Sequence, residues 1–150
     1  MKIQQLVLPF LPGLLLLLTT LPSAADVIQT QPATEGDVEV DVIKAAAKEG
    51  IFTVQISYRN KGNSEVRISY GLGDVYFLDT QDKKKYQVLK DSQNVFLAAP
   101  NFGGVNIDVT IPAGGKTIAW FKFPGPPAST TKVNLVVPGV LPFEDLPISQ

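Results

Sequence analysis

The chain contains no cysteine and no histidine, and it has one methionine and one tryptophan in 150 residues. Without cysteine there is no disulfide to brace the fold and no thiolate for attack or metal binding. Without histidine, Ser-His-Asp and Cys-His catalysis, the usual zinc sites and most general-base schemes near neutral pH are excluded. The sequence also lacks G-x-S-x-G, a phosphate loop, G-x-G-x-x-G and any Asn-x-Ser/Thr acceptor for N-glycosylation. An excess of charge of one sign is missing too, with 13 Lys and Arg against 14 Asp and Glu. Such a chain has no net electrostatic draw toward nucleic acid, which is therefore not expected as a partner. Finally, no long hydrophobic run is uninterrupted. The most apolar stretch is broken by Pro9, Pro12 and Gly13 and is continuous only from Leu14 to Leu18, short of the about 20 residues a spanning helix needs.

What stands in that stretch, MKIQQLVLPFLPGLLLLLTTLPSAAD, has the order of a secretory signal. Lys2 and the amino terminus give a positive end, an apolar region follows, and Ser23-Ala24-Ala25 places small residues before a cleavage expected after Ala25. No cysteine near that point offers an attachment atom for lipid. Residues 1–25 are thus read as a signal peptide, and the mature chain is expected to be periplasmic or secreted with no stable membrane insertion. Lys2 leaves with the signal, so 12 basic face 14 acidic residues in a length suited to one domain with one core. A disulfide-free chain without N-glycosylation fits a bacterial envelope better than an animal secretion.

Residues 26–36, DVIQTQPATEG, read as an extended leader, and residues 37–150 as the domain. DVEVDVIK alternates strictly, Val38, Val40 and Val42 on one face and acids 37, 39 and 41 on the other, which predicts a half-buried strand. AAAKEG is expected to turn the chain, with Gly50 at positive φ. IFTVQISYRN puts Phe52, Val54, Ile56 and Tyr58 on one face, and Asn60-Lys61-Gly62 is expected to supply the positive-φ positions of a hairpin. EVRISY and VYFLD follow. SQNVFLAAPNFGG reads as a long crossing loop with room for one short strand, and VNIDVTI, TIAWFKF and TKVNLVVPG restore the period of two. Pro112 to Gly115 reads as a tight turn closing the next hairpin, and PGPPAS as a break. No helical period persists. The pattern predicts an all-β antiparallel sandwich or barrel of about seven to nine strands.

DTQDKKKYQVLKD, residues 79–91, packs acids and lysines between apolar runs. A calcium loop needs oxygen ligands at alternating positions and a central glycine, whereas lysines stand in those places here. The interleaved acids cancel much of the field that three lysines would offer a phosphate. The reading that remains is a solvated hairpin tip that blunts a sheet edge. Ser129-Thr130-Thr131-Lys132 matches S-x-x-K, but it follows PGPPA and leads into a strand, and its companion boxes are missing. Glu144 and Asp145 are adjacent along a strand, so they are expected to face opposite ways and not to form a facing acid pair.

With those segments in view, the mature chain resembles the immunoglobulin-like, telokin-like secreted domains of unknown function of bacterial envelopes. The resemblance covers roughly residues 38–149 and rests on FTVQISYRNKGNSEV, DVYFLDTQDKKKYQVL, IPAGGKTIAWFKFPGPPA and VPGVLPFEDLPIS. It implies an immunoglobulin-like antiparallel β-sandwich. Physically, the terminal segment is expected to place Phe143 as a plug at the open end of the sandwich as the final strand joins a sheet edge. Domains of this kind occur alone or joined to an outer-membrane-protein-A-like domain, and no such domain follows in this sequence, so peptidoglycan binding does not carry over. The resemblance brings no catalytic residues and no cofactor.

Trp120 and the pair Phe121/Phe123 point to opposite faces of one strand, so both cannot join the same core. One reading packs Trp120 beneath Phe96 and Phe102 of the long loop. The other makes Phe96, Phe102 and Trp120 a recognition patch for an envelope protein or a glycan. The sequence therefore points to an exported, non-enzymatic interaction or ligand-binding module, working through a loop surface or by strand addition to a sheet edge. The alternatives are a structural envelope component without a discrete ligand, or an enzyme using carboxylates and lysines. No catalytic residue, metal site or cofactor is assigned.

Overall fold

A computed structural model of the chain describes residues 26–150, and the expected signal peptide lies outside the described residues. In chain order the strands are β1 (Gln29–Pro32), β2 (Val38–Lys48), β3 (Ile51–Asn60), β4 (Val66–Gly71), β5 (Tyr76–Asp79) and β6 (Lys84–Gln87). They continue as β7 (Ala98–Ala99), β8 (Asn101–Phe102), β9 (Asn106–Ile111), β10 (Lys116–Pro124), β11 (Lys132–Val136) and β12 (Phe143–Pro147). All pair antiparallel, in a five-stranded sheet β1-β2-β3-β10-β7, a four-stranded sheet β12-β11-β5-β6 and a three-stranded sheet β4-β9-β8. One 3-10 turn, Leu72–Asp74, joins β4 to β5, and the described residues contain no α-helix. The architecture is all-β and sandwich-like. Twelve strands stand where about seven to nine were expected, because the leader segment contains β1 and the crossing loop contains the two-residue pairings β7 and β8.

Period-two alternation builds the core. Phe52, Val54, Ile56 and Tyr58 of β3 and Ala119, Phe121 and Phe123 of β10 are fully buried on one face of the five-stranded sheet. Phe77 of β5 reaches across from the four-stranded sheet. Its ring lies edge-on to Phe52 at 5.1 Å and to Phe123 at 5.3 Å, and it stacks on Tyr86 at 4.5 Å. The three-stranded sheet is tied in by the hydroxyls of Tyr58 and Tyr70, which are hydrogen-bonded at 2.7 Å in the buried interior. Burial raises both tyrosine pKa values, so the pair stays neutral. Tyr58→Phe is expected to cost about 1–3 kcal/mol, because it strands the Tyr70 hydroxyl. The double change to Phe at 58 and 70 should recover part of that loss in urea unfolding. A double variant no more stable than Tyr58→Phe would show that the hydroxyl pair carries no such penalty.

Three local expectations are corrected. β2 does not turn at Ala45, because a bulge between Val42 and Lys44 resets its alternation, sends Ala45 into the core and lets the strand continue to Lys48. The turn falls on Glu49 and Gly50, at φ 52° and 76°, and Gly50 carries the positive φ expected of it. A side chain at Gly125 would stand 2.9 Å from the Gly50 carbonyl carbon, so only glycine lets these two backbones meet, with the Gly125 N–H donating to Gly50 O at 2.7 Å. Asn60-Lys61-Gly62 uses no positive φ. Instead the Asn60 side chain shapes the bend, donating to Ser64 O at 2.7 Å and to Ile111 O at 3.2 Å while its Oδ1 accepts from Gly62 N at 2.9 Å. Neither this bend nor Pro112 to Gly115 closes a hairpin. β3 pairs with β10 in one sheet and β4 with β9 in another, so both bends carry the chain between sheets at a shared corner.

The first and last strands of the described residues meet along one seam. Gln29 and Gln31 of β1 donate side-chain hydrogen bonds to Glu144 O at 3.2 Å and Pro142 O at 3.1 Å, and Ala33 bridges Val140. β12 lies at the edge of its sheet, where the final strand was expected, with Phe143 fully buried.

Candidate functional site

The charged stretch at residues 79–91 resolves into structure rather than chemistry. Asp79 closes β5 and is 1% exposed. It accepts from Thr130 Oγ1 at 2.6 Å, from Gln81 N at 2.9 Å and from Asp82 N at 3.2 Å. Burial pushes its pKa up, but these three donors outweigh burial and hold the carboxyl below the ordinary range. Lys84 and Lys85 lie over the rings of Tyr86 and Tyr76 at 4.8 and 3.9 Å, on β6 at the edge of its sheet. Of the S-x-x-K match, Ser129 is exposed and Lys132 pairs with Asp145 at 2.8 Å, so no serine-lysine dyad is assembled. Glu144 and Asp145 are both exposed and do not alternate as expected, since Asp145 sits at φ 50° in a strand whose register with β11 shifts.

The acids of β2 do not simply face water. Asp41 is 2% exposed, gripped by the Arg59 guanidinium through Nε and through Nη2 at 3.0 Å, and by Thr30 Oγ1 at 2.7 Å. Arg59 also reaches Glu39 at 2.8 Å, and Lys61 spans Glu39 at 2.6 Å and Asp37 at 3.8 Å. Hydrogen bonding from Arg59 is the largest cause of the lowered Asp41 pKa, and hydrogen bonding from Lys61 of the lowered Glu39 pKa. The hollow of about 520 Å³ at the corner, lined by Arg59, Asn60, Lys61, Gly114, Gly115 and Lys116, thus has two of its three cations already spent on acids.

The three aromatic residues differ in exposure. Phe96 is half-buried against the core, with Lys90 Nζ 4.4 Å from its ring centroid. Phe102 is 63% exposed. Trp120 is half-buried on the outer face of β10, paired in register with Gln55 of β3 and Ala99 of β7. Among the described residues no aromatic ring pair joins any of the three to another. Phe102 instead heads an apolar tip. The β8–β9 connection passes through Gly103 and Gly104 at φ 68° and 80°, which turns Phe102 and Val105, 58% exposed, outward. Val95, 37% exposed, joins them, since a side chain on Gly104 would lie 3.8 Å from it. Asp91 fixes that neighbour by accepting from Gln93 N at 2.8 Å and Val95 N at 2.9 Å. Val95 sits in a loop with no period to assign it a face, whereas the alternation of VNIDVTI puts Val105 with Ile107, Val109 and Ile111; that expectation is corrected, because β9 begins only at Asn106 and Val105 lies in the turn before it.

No known protein family matches the chain, and neither the curated proteins nor the solved structures contain a match to it.

Proposed function

We propose that the chain is an exported, non-catalytic binding module of the bacterial cell envelope, with an immunoglobulin-like, telokin-like sandwich as its scaffold. The observation that carries this reading is the tip formed by Val95, Phe102 and Val105. Three apolar side chains exposed on two adjoining segments, the one with Val95 fixed by Asp91, lose more by facing water than scattered surface residues do, and they gain most by entering a protein partner. The chemistry of the chain supports the non-catalytic part. It has no histidine or cysteine, and its two buried carboxylates, Asp41 and Asp79, are each saturated by donors that keep them ionised, which suits anchors and not proton-transfer groups. The signal-like N-terminus supports export.

The test places a photo-crosslinking side chain at position 102 in the producing cells, with the same probe at exposed Thr110 of β9 as control. A discrete adduct from position 102 that is missing at Thr110 is the expected result. The variant Phe102→Ser should change unfolding stability by no more than about 0.5 kcal/mol while losing that adduct's partner. No adduct at 102, or the same adduct from both positions, removes the reading.

A further inference from the structure

We propose that the outer face of the five-stranded sheet binds an anionic polysaccharide, with Trp120 stacking on a sugar ring and Lys44, Lys116 and Lys122 pairing with its carboxylates. The face is set by register. Lys116, Ile118, Trp120 and Lys122 alternate with the buried residues of β10 and share its outer side, and Lys44 lies in one cross-strand row with Gln55, Trp120 and Ala99. The bulge in β2 that sends Ala45 inward is what presents Lys44 there.

The charge on this face is of two kinds. Its acids, Glu39 and Asp41, are taken up by Arg59 and Lys61. Lys44, Lys116 and Lys122 have no acid partner among the described residues, so the uncompensated charge is positive in a chain that is otherwise close to neutral. An acidic ligand gains from all three. Lys116 and Lys122 lie six residues apart on one strand, a span of about 20 Å at the rise of an extended chain, with Trp120 between them. A single small anion cannot touch both, whereas a polymer with a charge on each repeat can.

Saccharide chemistry suits the space between the cations. The indole is flanked by the small side chain of Ala99, and Lys122 Nζ is 5.9 Å from the ring centroid, so an apolar sugar face and a carboxylate find partners side by side. Gln55 in the row of Trp120 and Thr53 in the row of Lys122 supply hydrogen-bonding groups. Beside them runs a groove of about 420 Å³ whose lining includes Ser57, Ile43, Ile118 and Lys116. Ile118 is 49% exposed there.

This surface shares no residue with the tip on which the protein-docking proposal rests, so either can fail alone. The test is calorimetric titration of the purified full chain with polygalacturonate at low and physiological salt. Pullulan serves as a neutral polysaccharide and polyglutamate as an acidic polypeptide. Polygalacturonate should bind and pullulan should not. Trp120→Ala should weaken binding at least about tenfold, as loss of an aromatic anchor does, and Lys44→Gln with Lys122→Gln should weaken it and flatten its salt dependence. Phe102→Ser should leave it unchanged. Circular dichroism of each variant checks the fold. No binding of polygalacturonate, or binding that survives Trp120→Ala in a folded variant, overturns the proposal. So does equal affinity for polyglutamate, which would mean that charge alone is read and an acidic protein segment is the better occupant.

Discussion

Replacing Phe77 with alanine is expected to destabilise the chain by about 3–5 kcal/mol in urea unfolding, the range for removing a ring from a packed core. The magnitude follows from position. Phe77 is fully buried, comes from the four-stranded sheet and makes edge contacts with Phe52 and Phe123 of the five-stranded sheet. It also stacks on Tyr86, its cross-strand partner. Truncation removes the transfer free energy of the ring and leaves a hollow between two sheets, which cannot close without moving both. Phe77→Leu fills most of that volume and should cost less than half as much. A loss below about 1.5 kcal/mol for Phe77→Ala would mean that the two sheets collapse onto each other freely, and the ring would no longer be the piece that spaces them.

Asp79→Ala is expected to cost on the order of 2–4 kcal/mol at neutral pH. The substitution strands the buried Thr130 hydroxyl and the Gln81 and Asp82 N–H groups, and it undoes the turn that joins β5 to β6. The pH dependence has a definite sign. The folded carboxyl has a lowered pKa, so its contribution is fully present above the ordinary carboxylate range and is lost as pH falls through that range to the lower folded value. Asp79→Asn keeps the shape and cannot ionise. Its deficit relative to the unmodified chain should therefore be largest near neutrality and shrink as the medium is acidified below the ordinary carboxylate range. Asp41 adds a loss of the same sign in the same window. A deficit for Asp79→Asn that stays constant from neutral to acid pH would show that the charge of Asp79 plays no part and only its shape matters.

Strand positions were legible where one face is buried, because burial selects a period of two. β3, β9, β10 and β11 fall where alternation predicts them, and the split of Phe121 and Phe123 from Trp120 follows directly. What alternation could not show is which strands share a sheet. A tight turn between two strands reads as a hairpin, yet the bends at Asn60 and at Pro112 pass between sheets, since pairing partners are chosen by core packing far away in sequence. The bulge in β2 was equally hidden, because one extra residue changes the parity of everything after it, and the alanines there match a core face or a loop equally well. At the candidate surfaces, Trp120 and Phe102 stood out by type alone. Lys122 shares the face of Trp120 by alternation alone, whereas Lys44 was hidden, because it reaches that row only through the bulge.

The seam between β1 and β12 has a consequence for when the protein can fold. The residues that Gln31 and Gln29 bind arrive 111 and 115 positions later in synthesis. A nascent chain lacking Phe143 to Pro147 has neither the edge strand that covers β11 nor the Glu144 carbonyl that Gln29 binds. Pairings between distant residues are slow to form, since the loop between them must close before any contact rewards it. The seam is therefore expected to close late, after the long ladders of β2, β3 and β10 have found their partners, so that β12 acts as the latch on a sandwich already formed around β3.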